Sequence, residues 1–262
     1  MKRSSGARIG ATAAVSVLSL ALITGCSDEG SDDSKGSGSS SSSPTAQAAK
    51  ALTTAELKKL LIAQGDVKGY KVEATDESYP TSKSAVKVDK AECQPLAYTM
   101  GGLAPGDTDA SVSITATEEK LPTGNSTSLE DMTEDDLASA FDADTTLVSL
   151  SSYEGDGAEK TFKSVSDAVA SCAGGFTISA QGEDQKLAKI APEKASGTGD
   201  ESVAFAASGA MEEGGTGDVH TEVVRHGNTI ATYYTLNLGK LTSGKPYTVS
   251  SVVVDAQAAK LK

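Results

Sequence analysis

The clearest structural signal in the chain is the stretch VHTEVVRHGNTIATYYTLNL, residues 219–238. Two runs rich in Val, Thr and Tyr, residues 219–225 and 229–238, flank the dipeptide Gly227-Asn228. β-Branched and aromatic residues favour strands, and Gly and Asn both tolerate the positive φ angles of a two-residue hairpin turn. The stretch therefore predicts an antiparallel hairpin, and it makes an antiparallel sheet the basis of the fold.

Six further segments before the hairpin have the composition of strands. Each is short, alternates in polarity or is rich in apolar residues, and is bounded by turn-forming residues. They are residues 70–74, 110–117, 145–153, 176–180, 186–190 and 202–207. We expect an antiparallel sheet of about five to seven strands.

Helices are predicted where apolar residues recur every three or four positions. Thr53 and Glu56 form a capping-box pattern at the start of the first helix. A second helix starts near Asp89, or is shorter and begins near Pro95, because proline interrupts a helix interior. Further helices are predicted from residue 133, at residues 160–172 and at residues 250–261, with a strand at residues 252–254 as the alternative for the last segment. The fold class that follows is α+β, with helices packed against one antiparallel sheet.

The first 25 residues have the layout of a secretory signal peptide. Three cations among residues 1–8 precede an apolar run, residues 9–23, and the tetrapeptide ITGC, residues 23–26, closes it. That tetrapeptide resembles the bacterial lipobox, in which the cysteine thiol is acylated with fatty acids such as palmitate. The alternative is an uncleaved transmembrane helix, but an apolar run of about 15 residues is short of the roughly 20 that span a bilayer. We expect a protein that begins at Cys26 and is lipid-anchored on the extracytoplasmic face of the cell membrane.

Composition divides the rest of the chain into a tether and one folded domain. Residues 26–47 comprise the lipidated Cys26 and a stretch of Ser, Gly and Asp with almost no apolar residue. Such a stretch cannot bury enough surface to offset the entropy of ordering it, so we expect a disordered tether. Residues 48–262 are long enough for a single domain with its own core.

The charge of the chain excludes one class of partner. It carries 23 Lys and Arg against 36 Asp and Glu, for a formal net charge of −13. Binding to nucleic acid depends on Lys and Arg contacts to phosphates, so we expect no nucleic-acid partner. The same acidic balance argues against docking on anionic lipid headgroups.

The cysteines predict one disulfide. If Cys26 is lipidated, Cys93 and Cys172 remain as an even pair in an oxidising compartment. Their bond would close a loop of about 80 residues. A redox pair is the alternative, but the two are not in a C-x-x-C arrangement and nothing nearby indicates a lowered thiol pKa. Two cysteines without a histidine cluster also make a poor zinc site.

The order of the short motifs resembles one group of proteins. The motifs are Leu60-Leu61 before Gly69-Tyr70, the segment Ala91-Glu92-Cys93, the helix from Phe162 to Cys172, the hairpin at residues 223–228 and a C-terminal Ala-Lys-Leu helix. Together they resemble the extracytoplasmic sensor-like domain of actinobacterial PknH-type serine/threonine kinases, which also occurs as stand-alone lipoproteins. The resemblance covers about residues 52–262. It implies an α+β domain with a cleft for an unidentified ligand and no enzymatic activity. This chain departs from the group in having no Trp and a single cysteine pair after Cys26.

Two motifs that could carry catalysis or nucleotide binding are incomplete. Residues 239–245 match the spacing of a P-loop, but Pro246 replaces the Ser or Thr that holds magnesium, so we expect a plain surface loop. His226 is expected to be solvated at the hairpin turn. His220 is expected on the outer face of the sheet, together with Asp218 and Glu222. No Gly-x-Ser-x-Gly motif supplies a serine nucleophile.

The densest charge cluster is acidic. Its members are Glu130, Asp131, Glu134, Asp135, Asp136, Asp142 and Asp144. A calcium site is one interpretation, because hard cations bind several carboxylates. The spacing does not follow the EF-hand loop, and acids in the first turn of a helix complement its dipole. We therefore favour helix-start electrostatics over a metal site.

The sequence thus predicts a monomeric, non-catalytic lipoprotein with a sensor-like ligand-binding domain and no cofactor. Its partners would be the membrane, through Cys26, and an unidentified small molecule or protein of the cell envelope. One alternative is an interaction or scaffolding lipoprotein of the envelope. A second is a hydrolase with an unrecognised site. The ligand-binding interpretation predicts a concave pocket between sheet and helices.

Overall fold

Nine strands form one antiparallel sheet in the computed structural model, which describes residues 50–120, 141–211 and 215–262. The strands are β1 (Tyr70–Ala74), β2 (Val86–Val88), β3 (Ser111–Glu118), β4 (Thr145–Ser152), β5 (Phe176–Ala180), β6 (Glu183–Glu193), β7 (Glu201–Ala210), β8 (Thr216–His226) and β9 (Thr229–Leu236). Their order across the sheet is β1-β3-β4-β9-β8-β7-β6-β5-β2. The α-helices in the same ranges are α1 (Thr54–Leu60), α2 (Gln94–Met100), α3 (Gly157–Ser171), α4 (Leu238–Ser243) and α5 (Ser251–Lys260). The α+β class is confirmed.

The predicted number of strands is wrong. All eight predicted segments form strands, and β2 is the ninth. β2 has three residues and pairs with β5 through Val86↔Ala180 and Val88↔Ile178. A strand this short has no recognisable period, and a partner about 90 residues away in sequence defines it. β2 is therefore defined by its tertiary pairing with β5 and not by its local sequence.

The hairpin that dominates the sequence forms as predicted. β8 and β9 pair with Arg225 opposite Ile230 and His226 opposite Thr229, which leaves Gly227-Asn228 as the turn. Gly227 has a positive φ of 59°, but Asn228 does not have a positive φ, so only the first of the two turn residues uses the conformation that both tolerate. The hairpin lies in the centre of the sheet, so both of its faces are covered.

Helices cover the two faces of the sheet with separate cores. On one face, α2 and α3 pack over residues such as Phe205, Val223 and Ile230. On the other, here called the α1/α5 face, α1 and α5 pack over residues such as Val224 and Tyr233. Val223 and Val224 are adjacent in β8 and belong to different cores, as alternation in a strand requires.

The predicted disulfide is present. Cys93 ends a short 3₁₀ turn before α2, Cys172 is the C-cap residue of α3, and their Cα atoms are 5.9 Å apart. Both side chains are fully buried. The bond fastens α2 and α3 to each other over the sheet.

The local helix signals are also confirmed. The Thr53–Glu56 capping box is formed, and α2 begins at Gln94 with Pro95 in its first turn, the shorter of the two predicted versions. The closing helix is α5. The helix predicted from residue 133 lies outside the described residues, as do the signal peptide at 1–25, Cys26 and the tether at 26–47.

Among the described residues, no helix combines the length and the hydropathy that crossing a membrane would take.

Candidate functional site

A cleft opens between α1 and the first two strands on the α1/α5 face. It has a volume of about 560 Å³ and runs along the C-terminal half of α1 beside β1 and β3. Leu61, the C-cap residue of α1, and Ile62 after it form one wall, and both are buried. A concave pocket between sheet and helix is what the ligand-binding interpretation predicted.

The end of α1 is held in place by a side chain from α5. The backbone N–H of Ile62 donates to Gln257 Oε1 at 3.0 Å, and Gln257 Nε2 donates to the carbonyl oxygen of Leu60 at 2.7 Å. Gln257 has no exposed surface. A buried amide that satisfies both groups fixes the wall of the cleft relative to α5.

The floor of the cleft is apolar and only partly covered. Val72 in β1 and Val112 and Ile114 in β3 line it, and all three retain some solvent exposure while packing on the core of this face. Their exposure follows from the lengths of the strands. β1 ends at Ala74 opposite Ile114, so Val112 has no neighbouring strand on that side, and Val72 lies in an edge strand.

Gln64 closes part of the open edge of β1. Its Oε1 accepts the N–H of Val72 at 2.8 Å, and its Nε2 lies 3.5 Å from the carbonyl oxygen of Tyr70. The side-chain amide thus takes the place of a neighbouring strand, which reduces the tendency of an edge to pair with another chain. Thr54, Lys58 and Gln64 form a polar rim above the apolar floor.

A second, more polar cleft of about 600 Å³ lies beside the segment around Asp107. Lys83 dominates it, donating to the carbonyl oxygen of Gly106 at 2.6 Å and lying 3.7 Å from Asp107. The ammonium group also stands 5.1 Å from the centre of the Tyr98 ring. Because this charge is already satisfied by the protein, the cleft is less suited to a ligand than the one beside α1.

The expected position of His220 and Glu222 on an outer face is wrong. The two residues do share a face, but it is the buried α1/α5 face, and their exposed fractions are 6% and 3%. Glu222 accepts the N–H of Ser196 at 2.8 Å, so the connection between β6 and β7 folds over it. His220 meets the ring of Tyr247 edge-on at 4.4 Å, in the connection between α4 and α5. These irregular segments, not regular elements, cover the face.

His220 is paired with an acid but not with a nucleophile. Its Nδ1 lies 2.9 Å from Glu193 Oε2. Within the described part of the chain, no Ser, Thr or Cys side chain is hydrogen-bonded to the imidazole. Two members of a Ser–His–acid arrangement are therefore present without the third.

His226 is not solvated as predicted. It is half-buried, and its Nε2 is buried without a hydrogen-bond partner among the described residues. Burial lowers the pKa of the imidazole, and the nearby carboxylate of Asp200 opposes that shift. The segment around Gly199 packs closely against the ring.

The P-loop-like segment forms the short helix α4 and not the plain surface loop that was expected. Asn237 caps it by accepting the N–H of Lys240 at 2.8 Å, and Gly244 ends it in the left-handed conformation with a φ of 67°. Gly239 approaches the backbone of Asp142 closely, where a Cβ would come within 3.0 Å of it. The two glycines therefore serve packing and helix termination.

The two described members of the acidic cluster are structural. Asn237 Nδ2 donates to the carbonyl oxygen of Asp142 at 2.9 Å and to Asp144 Oδ1 at 2.6 Å, and Lys240 lies 3.3 Å from the same carboxylate. The acids between residues 130 and 136 lie outside the described ranges. In residues 50–120, 141–211 and 215–262, no three His, Cys, Asp or Glu side chains are grouped to hold a metal ion.

Comparison with known proteins shows similarity to a solved structure. No family model matches the chain, and no curated protein matches it. The crystal structure of the extracellular domain of PknH from Mycobacterium tuberculosis is similar to it, with a TM-score of 0.47 and 13% sequence identity. The match covers 81% of this chain and 95% of that chain. This weak structural resemblance is to the same family that the sequence motifs resemble.

Proposed function

We propose that the protein is an extracytoplasmic, lipid-anchored lipoprotein whose domain is a non-catalytic, sensor-like ligand-binding module. The cleft between α1 and strands β1 and β3 is its ligand site. The observation that carries the proposal is the partly exposed apolar floor of this cleft. Its volume of about 560 Å³ falls within the range of small-molecule sites, which are mostly apolar with a few polar groups.

The sequence supports the location and the anchor. The lipobox-like tetrapeptide at residues 23–26 supports lipidation of Cys26, and the Ser- and Gly-rich stretch after it supports a flexible connection to the domain. The bond between Cys93 and Cys172 is of a kind that persists in oxidising compartments. An extracytoplasmic position accounts for all three features.

The surroundings of the buried histidine support a non-catalytic role. A general base must reach the group whose proton it removes. His220 is instead enclosed by Glu193 and Tyr247 in a part of the sheet away from the cleft. The cleft itself is lined by apolar side chains, one lysine and uncharged polar groups, with Glu73 paired to Lys71 at 2.9 Å.

Native mass spectrometry tests the ligand site. Residues 26–262 carrying Cys26→Ser would be secreted from an actinobacterial host, so that the domain meets envelope molecules without an anchor of its own. We expect an adduct of defined mass, lost in an Ile114→Trp variant whose indole fills the cleft. Lys87→Trp places the same bulk on the exposed edge strand β2, at the other end of the sheet, and should keep the adduct. A bare mass for the parent protein, or an adduct that Ile114→Trp retains, would refute the site.

Fractionation of cells that express the full chain tests the anchor. The unaltered protein should be found with the membrane and should incorporate labelled palmitate. A Cys26→Ser variant should lose the label and leave the membrane fraction. Label or membrane association that survives the substitution would count against lipidation at this residue.

A further inference from the structure

The segment that forms the cleft is basic within an acidic protein. Residues 50–74 contain five lysines and three acids, whereas the whole chain has a net charge of −13. All three acids are engaged: Glu56 in the capping box, Asp66 with Lys260 at 2.7 Å and Glu73 with Lys71 at 2.9 Å. Lys58, Lys59 and Lys68 are exposed, and none has an ion-pair partner within 4 Å among the described residues.

The positive charge of these lysines is felt locally, because carboxylates elsewhere in the domain are screened from it by salt. At physiological ionic strength, interactions between exposed charges are screened over about 8 Å. An anion at the rim of the cleft therefore interacts with Lys58, and with Glu73, whose charge is balanced by Lys71 at 2.9 Å, and not with carboxylates on distant parts of the domain. The negative net charge argues against anionic lipid partners for the molecule as a whole. That argument does not hold for the rim of the cleft, where the local charge decides.

The cleft combines an apolar floor with that cationic rim. Val72, Val112 and Ile114 offer apolar surface below, and Lys58 stands at the opening. A ligand that satisfies both parts has an apolar chain and an acidic head. A purely polar anion would leave the floor exposed to water, and a neutral hydrocarbon would leave the Lys58 ammonium without a partner.

The cleft includes residues near the start of the described domain. Thr54, on its rim, lies four residues beyond Lys50, where the described part of the domain begins. A coil of the length between Cys26 and Lys50 spans roughly 25–30 Å r.m.s.. A tether of this length, as proposed above, would allow the rim to reach the headgroups to which Cys26 would be anchored.

We propose that the cleft binds one acyl chain of an acidic phospholipid from this membrane, with the headgroup phosphate beside Lys58. The proposal rests on the ligand site proposed above and adds the class of ligand. The same contact would orient the domain with α1 and β1 towards the bilayer, since an anionic membrane surface attracts nearby lysines.

Vesicle flotation tests the ligand class with the unlipidated protein, residues 26–262 carrying Cys26→Ser. Vesicles of phosphatidylcholine alone are compared with vesicles that contain equal parts of phosphatidylcholine and phosphatidylglycerol. We expect binding only to the second kind, weakened about tenfold or more by Lys58→Glu, because each lysine near an anionic surface contributes on the order of 1 kcal/mol. Lys87→Glu makes the same charge change on β2, far from the cleft, and should bind like the parent protein.

Native mass spectra of the same samples separate the cleft from surface attraction. One phosphatidylglycerol per protein should remain bound in the parent protein and in Lys87→Trp, and none in Ile114→Trp. Circular dichroism melts confirm that each variant is folded. Equal binding to both kinds of vesicle, or undiminished binding by Lys58→Glu, would overturn the proposal.

The envelope-derived adduct tells the two proposals apart. If it is not a phospholipid but still disappears in Ile114→Trp, the ligand class is wrong and the ligand site stands. If no adduct is found and no vesicle binds, both proposals fail.

Discussion

Gly175 shows how a single residue sets the start of a strand. Its φ is +75°, and a Cβ at this position would collide with the carbonyl oxygen of Leu187. Gly175→Ala should therefore lower the free energy of unfolding by about 2–3 kcal/mol, through backbone strain and displacement of the neighbouring strand. Urea denaturation measures the loss. Gly174→Ala is the matched control, because its Cβ would meet nothing within 4 Å. Equal stability of the two variants would contradict the steric role of Gly175.

Two buried tyrosines differ in whether the hydroxyl is satisfied. The Tyr233 hydroxyl has no hydrogen-bond partner among the described residues, and its side chain has no exposed surface. Tyr233→Phe should therefore leave the protein equally stable or slightly more stable, because an unsatisfied polar group is removed. The Tyr70 hydroxyl lies 2.9 Å from the Ser250 hydroxyl, so Tyr70→Phe should cost about 1 kcal/mol. Thermal melts measure the stability of both variants. If Tyr233→Phe were the less stable of the two, the hydrogen-bond assignment would be wrong.

At the residue scale, the sequence predicts which side chains share a face but not what covers that face. Alternation correctly groups His220 with Glu222. Their burial depends on Ser196 and Tyr247, about 25 residues away in either direction and in segments without periodicity. The same limit applies to the cleft, since nothing in the sequence tells how far α1 extends over β1 and β3.

The disulfide is the main covalent link between elements. It joins the turn before α2 to the end of α3 across 79 residues of sequence. Replacing Cys93 and Cys172 together by alanine should lower the free energy of unfolding by about 4 kcal/mol, because the unfolded chain gains the entropy of an open loop. Urea titration measures the change, and reduction of the unaltered protein should produce a similar loss. A double variant as stable as the parent would contradict a structural role.

Elements with a local signature are predictable, and those defined by distant partners are not. The central hairpin, the capping box of α1 and the apolar stripe of α3 all follow from short-range patterns. β2 does not, because its three residues are ordered only by pairing with β5. α4 carried a usable signal that was missed: an Asn cap at Asn237 and a glycine at Gly244 bracket it, as helix ends commonly are.

Burial of aromatic side chains gives the whole molecule an alkaline limit. Burial raises the pKa of Tyr247 to about 12 and those of Tyr233 and Tyr234 further, while Tyr70 and Tyr153 also have a raised pKa. An unfolded tyrosine titrates near 10. The folded state therefore holds its phenol protons to higher pH, and the stability they contribute is complete below about pH 10 and is lost as the pH rises from 10 through 12.

We expect the protein to unfold cooperatively above about pH 10, with tyrosinate formation tied to the loss of structure. Absorbance at 295 nm and far-UV circular dichroism, followed along the same titration, should change together. Six of the seven tyrosines have a raised pKa for which burial is the largest cause, so early titration in the folded state would be minor. A gradual rise of tyrosinate near pH 10 with intact secondary structure would show that the burial is overestimated.

Hydrogen–deuterium exchange tests the central claim, the ligand site beside α1, most directly. The protein with its retained adduct is compared with the same protein after the adduct has been removed. We expect slower exchange with the adduct bound in α1, β1 and the first half of β3, and no change in β2 and β5. Protection centred on the polar cleft around Lys83, or none near α1, would contradict it.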